Sequence, residues 1–295
     1  MSNDKKILVV GNICFDYIFT VENIAQNKFT SRCNYQIFQG GCGANISIGI
    51  AKLGGNCQLV SAVGEEFKNS KYEKDLIMAG VDISSVQIID GKKTSKAFIF
   101  TNNNDSRLTY FYLGASEYLK KIDLYPIDFV HLTRTNFNII YNVSKIAKFI
   151  SFDFSDDFVP YPNQIGSMLK KVNILFLNEF EMNKLCTTVK KTISDLTDEI
   201  DIIVVTFGSR GSMIYTKQHE LIISAVSANL VDTTGAGDAY RAGFLLAYTR
   251  GYSLEVCGKI GATVSSFVVE NVGSQSNYPT WNKMKLRFEE TFGHL

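Results

Sequence analysis

The sequence is poor in the residues that build metal and thiol chemistry. Of its 295 residues only three are histidine, His131, His219 and His294, and they lie far apart. Such a spread makes neither a zinc cluster nor a Cys/His nucleophile pair, so each histidine is expected to be structural or solvated. The six cysteines, at 14, 33, 42, 57, 186 and 257, show no Cys-x-x-Cys spacing and read as reduced thiols of a cytoplasmic protein. An excess of one charge is missing too: 30 basic residues face 29 acidic ones, net +1, with no block of like sign. That balance argues against nucleic-acid and membrane-surface partners, which call for a basic patch. No apolar run reaches transmembrane length, and Met1–Lys6 leads straight into Ile7–Val10 without the pattern of a signal peptide. What is present is an ordinary globular balance, 45% hydrophobic and 20% charged. It suits one large domain, or one with a small appendage, able to bury its core without staples.

The hydrophobic pattern alternates between strands and helices over most of the chain. Lys5–Val10 is a short apolar run ending at Gly11, as a buried strand would be. Gly40–Gly43 opens a helical pattern that Gly54–Gly55 stops, Gln58–Val63 reads as the next strand, and Phe67–Ala79 as a helix closed by Gly80. Further strands are expected at Phe129–Leu132, Phe149–Phe154, Ile174–Leu177 and Ile202–Thr206, with helical segments between them. Ser212–Thr216 and Glu220–Ser224 read as an antiparallel edge pair, and the end is helical over Ala239–Tyr248, Leu254–Val269 and Trp281–Phe292. The expected class is α/β: three layers, a mainly parallel sheet flanked by helices. The mixed-polarity strands of Asp16–Gln39 and Lys96–Gly114 do not fit that sheet and suit a small β-lid inserted from two stretches, about 16–39 and 96–114. Residues 1–295 then form one domain carrying that lid.

Polar and glycine-rich turns follow several of these strands, where open parallel sheets bind ligands. The richest is Asp232–Gly243, Asp-Thr-Thr-Gly-Ala-Gly-Asp-Ala-Tyr-Arg-Ala-Gly. A helix start offers unpaired N–H groups and a positive dipole end, a ready anion site. Asp238 at its lip would repel an anion, which makes sense if the carboxylate takes a proton from a hydroxyl while the turn steadies a migrating phosphoryl group. The plainer alternative is a capped helix behind an ordinary turn. Asp16, just past the first strand, and Asn45, after Gly40-Gly41-Cys42-Gly43-Ala44, together suit a vicinal diol such as a ribose edge, or else cap turns. In Asn178-Glu179-Phe180-Glu181 a carboxylate at a strand-to-helix turn could hold Mg2+ through water, or simply favour the helix dipole. Thr206-Phe207-Gly208-Ser209-Arg210-Gly211 could wrap a nucleotide or make a plain hairpin.

Taken together these motifs resemble the PfkB, or ribokinase-like, family of carbohydrate kinases. Asp232–Leu245 resembles its C-terminal signature. Gly40–Gly64, with Gly43, Asn45, Ser47 and Gly54, is similar to its N-terminal one, and Asn178–Glu181 to its Asn-x-x-Glu motif. The marks span most of the chain in the family's order. The resemblance implies a three-layer Rossmann-like fold and an ATP-dependent phosphotransferase that uses Mg2+. It implies Asp238 as catalytic base and Gly235, Ala236 and Gly237 as an anion hole. Asp16, Gly41 and Asn45 would hold the acceptor, and Asn178 and Glu181 would organise Mg2+ and phosphate. Thr206, Gly208 and Gly211 would line the ATP site, and Asp232 would mark a site for a monovalent cation such as K+.

The acceptor is read from finer features. Ribokinases proper resemble Gly-x-x-Asn-x-Asp at the first strand; here Cys14 stands at that Asn, and Gly11-Asn12-x-x-x-Asp16 looks more like adenosine and other nucleoside kinases. Asp238–Gly243 is similar to a prokaryotic nucleoside-kinase-like subgroup. Phe98 with Phe100, and Tyr110 with Tyr112, share faces of the lid strands and could stack on a purine, or pack on themselves or on a second subunit. Arg241 is either a partner of the base or a surface charge. The expected activity is transfer of the ATP γ-phosphoryl group to a nucleoside hydroxymethyl, the ribose 5′-OH. The alternatives are a sugar or sugar-phosphate acceptor, or a sensor without catalysis. The expected assembly is a monomer or a homodimer through the lid.

Overall fold

The computed structural model describes residues 5–22, 24, 32–102, 107–119, 127–155 and 158–295. In chain order the first elements are β1 (Ile7–Val10), β2 (Cys14–Thr20), β3 (Asn34–Gly40), α1 (Cys42–Lys52), β4 (Cys57–Val63), α2 (Lys71–Met78) and β5 (Asp82–Ile88). There follow β6 (Ser95–Thr101), β7 (Arg107–Tyr112), β8 (Phe129–Leu132), α3 (Phe137–Ser144), β9 (Phe149–Asp153), α4 (Pro162–Leu169) and β10 (Ile174–Asn178). The rest are α5 (Glu179–Val189), α6 (Ile193–Thr197), β11 (Ile202–Thr206), β12 (Ser212–Tyr215), β13 (Glu220–Ile223), α7 (Ala236–Thr249), α8 (Leu254–Val268) and α9 (Trp281–Phe292).

Nine strands make one sheet in the order β13-β12-β11-β10-β9-β8-β1-β4-β5. Neighbours from β11 to β5 run parallel, and β12 and β13 close one edge antiparallel. Alternation along β1 shows why both faces need covering. Ile7 and Val9 enter one core with α1, α7, α8 and α9, whereas Leu8 and Val10 enter the other with α3, α4 and α5. Strand order reverses beside β1, with β8 on one side and β4 on the other. Ligands of open α/β sheets bind at the carboxyl ends of strands at such a switch point.

Two local differences from the sequence reading have simple causes. The expected helix over Phe67–Ala79 begins only at Lys71: Asn69 takes a left-handed φ of 60°, and Ser70 caps by accepting the Glu73 N–H at 3.1 Å. The edge strand β5 carries Ser84, Ser85 and Gln87 in a largely half-buried run, so no clean apolar alternation announces it. The mixed-polarity strands form a separate four-stranded sheet, β3-β2-β6-β7, with β2 and β6 parallel. No helix among the described residues is long and apolar enough to cross a membrane.

Candidate active site

The loop after β1 is held between β8 and the start of α1. Asn12 N–H donates to the Arg134 carbonyl at 2.9 Å, and Ala44 N–H donates to the Asn12 carbonyl at 3.2 Å. Gly41 precedes α1 with φ 100°, and a Cβ there would stand 2.7 Å from both the Asn12 oxygen and the Cys14 nitrogen. Only glycine permits this approach. It leaves Asn12 buried, its amide oxygen without a protein partner among the described residues.

Helix α7 starts at the same place. Gly235, φ 83°, is its N-cap, with no side chain capping it. A Cβ on Gly235 would lie 2.5 Å from Ser274 Cβ, so a larger residue is shut out. The Ala236 N–H already meets the Thr233 carbonyl at 3.2 Å. Asp238, in the first turn, is 7% exposed. Its Oδ2 accepts Asn45 Nδ2–H at 2.7 Å, while Asn45 Oδ1 accepts Ser274 Oγ–H at 3.1 Å and Gln275 Nε2–H at 2.8 Å. Two donors on its oxygen turn the Asn45 amide so that its NH2 must face Asp238. Gln275 also donates to the Tyr72 hydroxyl at 2.6 Å, which donates to the Gly40 carbonyl at 2.6 Å. Burial pushes the Asp238 carboxyl up to about 6, against the pull of Arg241 and the Asn45 hydrogen bond.

Arg241, one turn on, is not a surface charge. It donates to Asp153 at the end of β9, and its other terminal nitrogen lies 3.6 Å from Asp238 Oδ1. Thr133 donates to the second Asp153 oxygen at 3.0 Å. Arg134 donates to Ser155 at 2.7 Å and lies over the Phe111 ring, 5.2 Å from its centre.

Of the other expected site residues, Asp16 neighbours Gly40, and Glu181 lies within electrostatic reach of Asp153 and Arg241. Asp16 is buried beside Gly40, where a Cβ would come within 2.1 Å of its Oδ2. Asn178 and Glu181 form a capping box: Asn178 Oδ1 accepts the Glu181 N–H and Glu181 Oε2 accepts the Asn178 N–H, both at 2.8 Å. Glu181 is half-buried, and its carboxyl is pushed up to about 7, first by desolvation and then by the charge of Asp153. Thr206 ends β11 opposite Asn178 of β10. Gly208 and Gly211 lie in the turn beyond, with positive φ. Among the described residues no hydrogen bond ties these two to Asp238. Asp232 accepts the Thr234 N–H and the Gly273 N–H, each at 2.9 Å, joining two loops.

The aromatic residues of the small sheet lie differently from the purine-stacking expectation. Cross-strand register puts Asp16, Phe38, Ala97 and Phe111 on one face. Tyr17, Phe98 and Tyr110 are on the other, with Phe19 and Phe100, because side chains alternate. Phe98, Phe100, Tyr110 and Tyr112 therefore face away from Asp16. The aromatic rings on its own side are Phe38 and Phe111.

Thr133, Asp153, Ser274 and Gln275 were not singled out in the sequence. Asp153 lies inside the expected strand Phe149–Phe154, whereas the observed strand ends on it, where the rule that draws attention to Asn178 applies. Ser274 and Gln275 lie in an aperiodic polar stretch that gives no signal of position. A separate cleft of about 1040 Å3 lies at the opposite, N-terminal ends of the strands, lined by Lys6, Phe129, Phe149 and Tyr248 among others. Among its described lining residues no carboxylates converge.

The chain has counterparts among known proteins. The family model for pfkB family carbohydrate kinases matches residues 4–281. A nucleoside kinase of Methanocaldococcus jannaschii is 38% identical over 97% of this chain and 97% of its own length. One from Methanothermobacter thermautotrophicus is 34% identical over 100% of this chain and 99% of its own. The crystal structure of the M. jannaschii nucleoside kinase, described as an archaeal member of the ribokinase family, superposes with a TM-score of 0.92 at 36% identity, covering 98% of this chain and 100% of that one. The fold is thus ribokinase-like. The chain belongs to the pfkB family of carbohydrate kinases and is a phosphotransferase that acts on an alcohol group.

Proposed function

We propose that the protein is an ATP-dependent nucleoside kinase that phosphorylates the ribose 5′-hydroxymethyl group, with Asp238 as general base. The observation that carries this reading is Asp238 itself. It is a buried carboxylate at a helix start without a side-chain cap, oriented by Asn45 and pushed up to about 6 by burial. In that range a carboxylate is both ionised and basic enough to take a hydroxyl proton. The open N–H groups at the α7 start favour a phosphoryl anion next to it. The Ala236 N–H must leave the Thr233 carbonyl to join Gly235 and Gly237 in that role. Asp16, Gly41 and Asn45 hold the ribose hydroxyls, and Asn178, Thr206, Gly208 and Gly211 border the nucleotide.

The donor set fits a hydrated cation better than a protein cage. No group of three or more His, Cys, Asp or Glu among the described residues converges as metal ligands, while Glu181 and Asp153 crowd one another electrostatically. Glu181 would hold Mg2+ through water, and the ion would neutralise charge on the phosphates. Asp232 would contribute to a K+ site through lone pairs left over from its two backbone bonds.

Phe111 and Phe38, on the Asp16 face, give a nucleobase an apolar wall, and closure of the small sheet over the site would exclude water. The test is ATP-dependent phosphorylation of adenosine, inosine, guanosine, cytidine, ribose, fructose and fructose phosphates, with Mg2+, with and without K+. Turnover of nucleosides is expected to exceed that of free sugars. In Phe111→Ala the KM for the nucleoside rises about tenfold, the ribose KM holding, as loss of one base–aromatic contact implies. Turnover confined to sugars would sink the nucleoside reading, and ATP binding without turnover would favour a sensor.

The outward face of the small sheet is proposed to pair with the same face of a second copy. Tyr17 stacks on Phe98 at 5.4 Å and Phe19 on Phe100 at 4.8 Å, while Tyr35 and Tyr110 remain 59% and 61% exposed. An apolar patch of this kind marks an interaction surface, and a two-fold pairing closes without leaving a free copy of it. Light scattering should show a dimer. Replacing Tyr110 with Glu, which sets like charges together at the two-fold, should give monomers; an unchanged mass would place the interface elsewhere.

A further inference from the structure

Asp153 and Arg241 stand beside the base with no part in the transfer described above. Their side chains are only 9% and 11% exposed. One terminal nitrogen of the guanidinium is bound to Asp153, which Thr133 holds in turn. The other stops 3.6 Å short of Asp238 Oδ1, too far for a hydrogen bond. Gly237 makes room for it, since a Cβ there would lie 2.6 Å from the nitrogen. The guanidinium is thus tied on the side away from the base.

We propose that Asp153 and Arg241 act as one restraint on Asp238. Arg241 supplies the positive charge that keeps the base ionised, and Asp153 holds that charge short of a direct ion pair. The carboxylate then keeps a lone pair for the acceptor hydroxyl. Both are positioning residues, and their role rests on the reading of Asp238 as the base. Several groups bear on Asp238. Asn45 and Cys42 come from α1, Arg241 from its own helix, Asp153 from β9, Arg134 from the segment after β8, and Tyr278 from the segment before α9. Glu181 of α5 acts on it through Arg241. Of these only the two arginines are positive, and Arg134 is engaged by Ser155 and Phe111. Burial raises the Asp238 carboxyl and Arg241 opposes the rise, whereas Asp153 adds to it. Removing the two members of the pair should therefore act in opposite directions, which loss of packing alone would not do.

The experiment is a carboxyl-carbon NMR titration of the ligand-free protein, with the Asp238 signal identified by its loss in Asp238→Asn. In Arg241→Gln the Asp238 titration should move up by about one pH unit. In Asp153→Asn it should move down by about one, as the released guanidinium closes on the base. Arg241→Lys, which keeps the charge, should stay near the parent, and Thr133→Val, a milder loosening of Asp153, should move the same way as Asp153→Asn. The acid limb of the kcat/KM profile should follow each shift. The titration needs no turnover, so a failed kinase assay would leave it standing. Shifts of one common sign, or none in any of the variants, would overturn the restraint even if phosphorylation is confirmed.

Discussion

Asp238→Asn should abolish most turnover while making the protein more stable. Loss of a general base costs roughly 10²–10⁴-fold in rate, and nucleotide binding should largely survive. The stability gain follows from the titration. The carboxyl sits near 6 when folded, raised from an ordinary value of 3.8. Below that ordinary value the group is protonated in both states and costs nothing. Between the two values the folded state holds more protons, so stability falls as pH rises; above the folded value the whole penalty applies, about 3 kcal/mol at neutral pH. Asparagine carries no such penalty and can still accept from Asn45. Thermal melts at pH 8 should therefore show a rise of several degrees, shrinking toward pH 4. A variant that keeps near-normal turnover would remove Asp238 from its role as base, and one that melts lower at pH 8 would contradict the buried-charge account.

The second large effect is expected at Gly41→Ala. The backbone there, at φ 100°, is one that L-residues rarely adopt, and the new Cβ would press on main-chain atoms of Asn12 and Cys14 rather than on a yielding side chain. A residue forced into such a conformation costs of order 1–3 kcal/mol, and the contact adds to it. Relief must come from moving the β1–β2 loop, which carries Asn12 and leads to Asp16. Denaturant unfolding should show the loss, and the KM for the acceptor should rise well beyond that for ATP. Equal rises in both would mean that Gly41 serves the whole cleft and not the acceptor side.

How far the sequence discloses this molecule depends on the range of the interaction. Strand–helix alternation and glycine turns are local, and they reveal the sheet, the helix starts and Asp238. The ends of α9, Trp281–Phe292, coincide with the expected helix because Thr280 caps it by accepting the Lys283 N–H. Which face of a strand looks inward is not local. Phe98 and Phe100 share a face in any strand, but only the pairing of Asp16 with Ala97 decides that this face looks away from the site. Likewise, nothing near Arg241 in sequence foretells Asp153, 88 residues earlier. Asn178 and Glu181 show the reverse: a local signal with two meanings, of which the structure shows the capping box formed.

The amide of Asn45 has a consequence for how the enzyme comes into being. It meets Asp238 across 193 residues, and its own orientation is set by Ser274 and Gln275, 229 and 230 residues away. Contacts of such separation are assembled late, after the loops between them have closed. A chain in which these distant segments have not yet met can thus display every glycine motif and still lack the hydrogen bond that orients Asp238. The Asn45 amide is therefore fixed only once the segment after α8 has folded back onto α1.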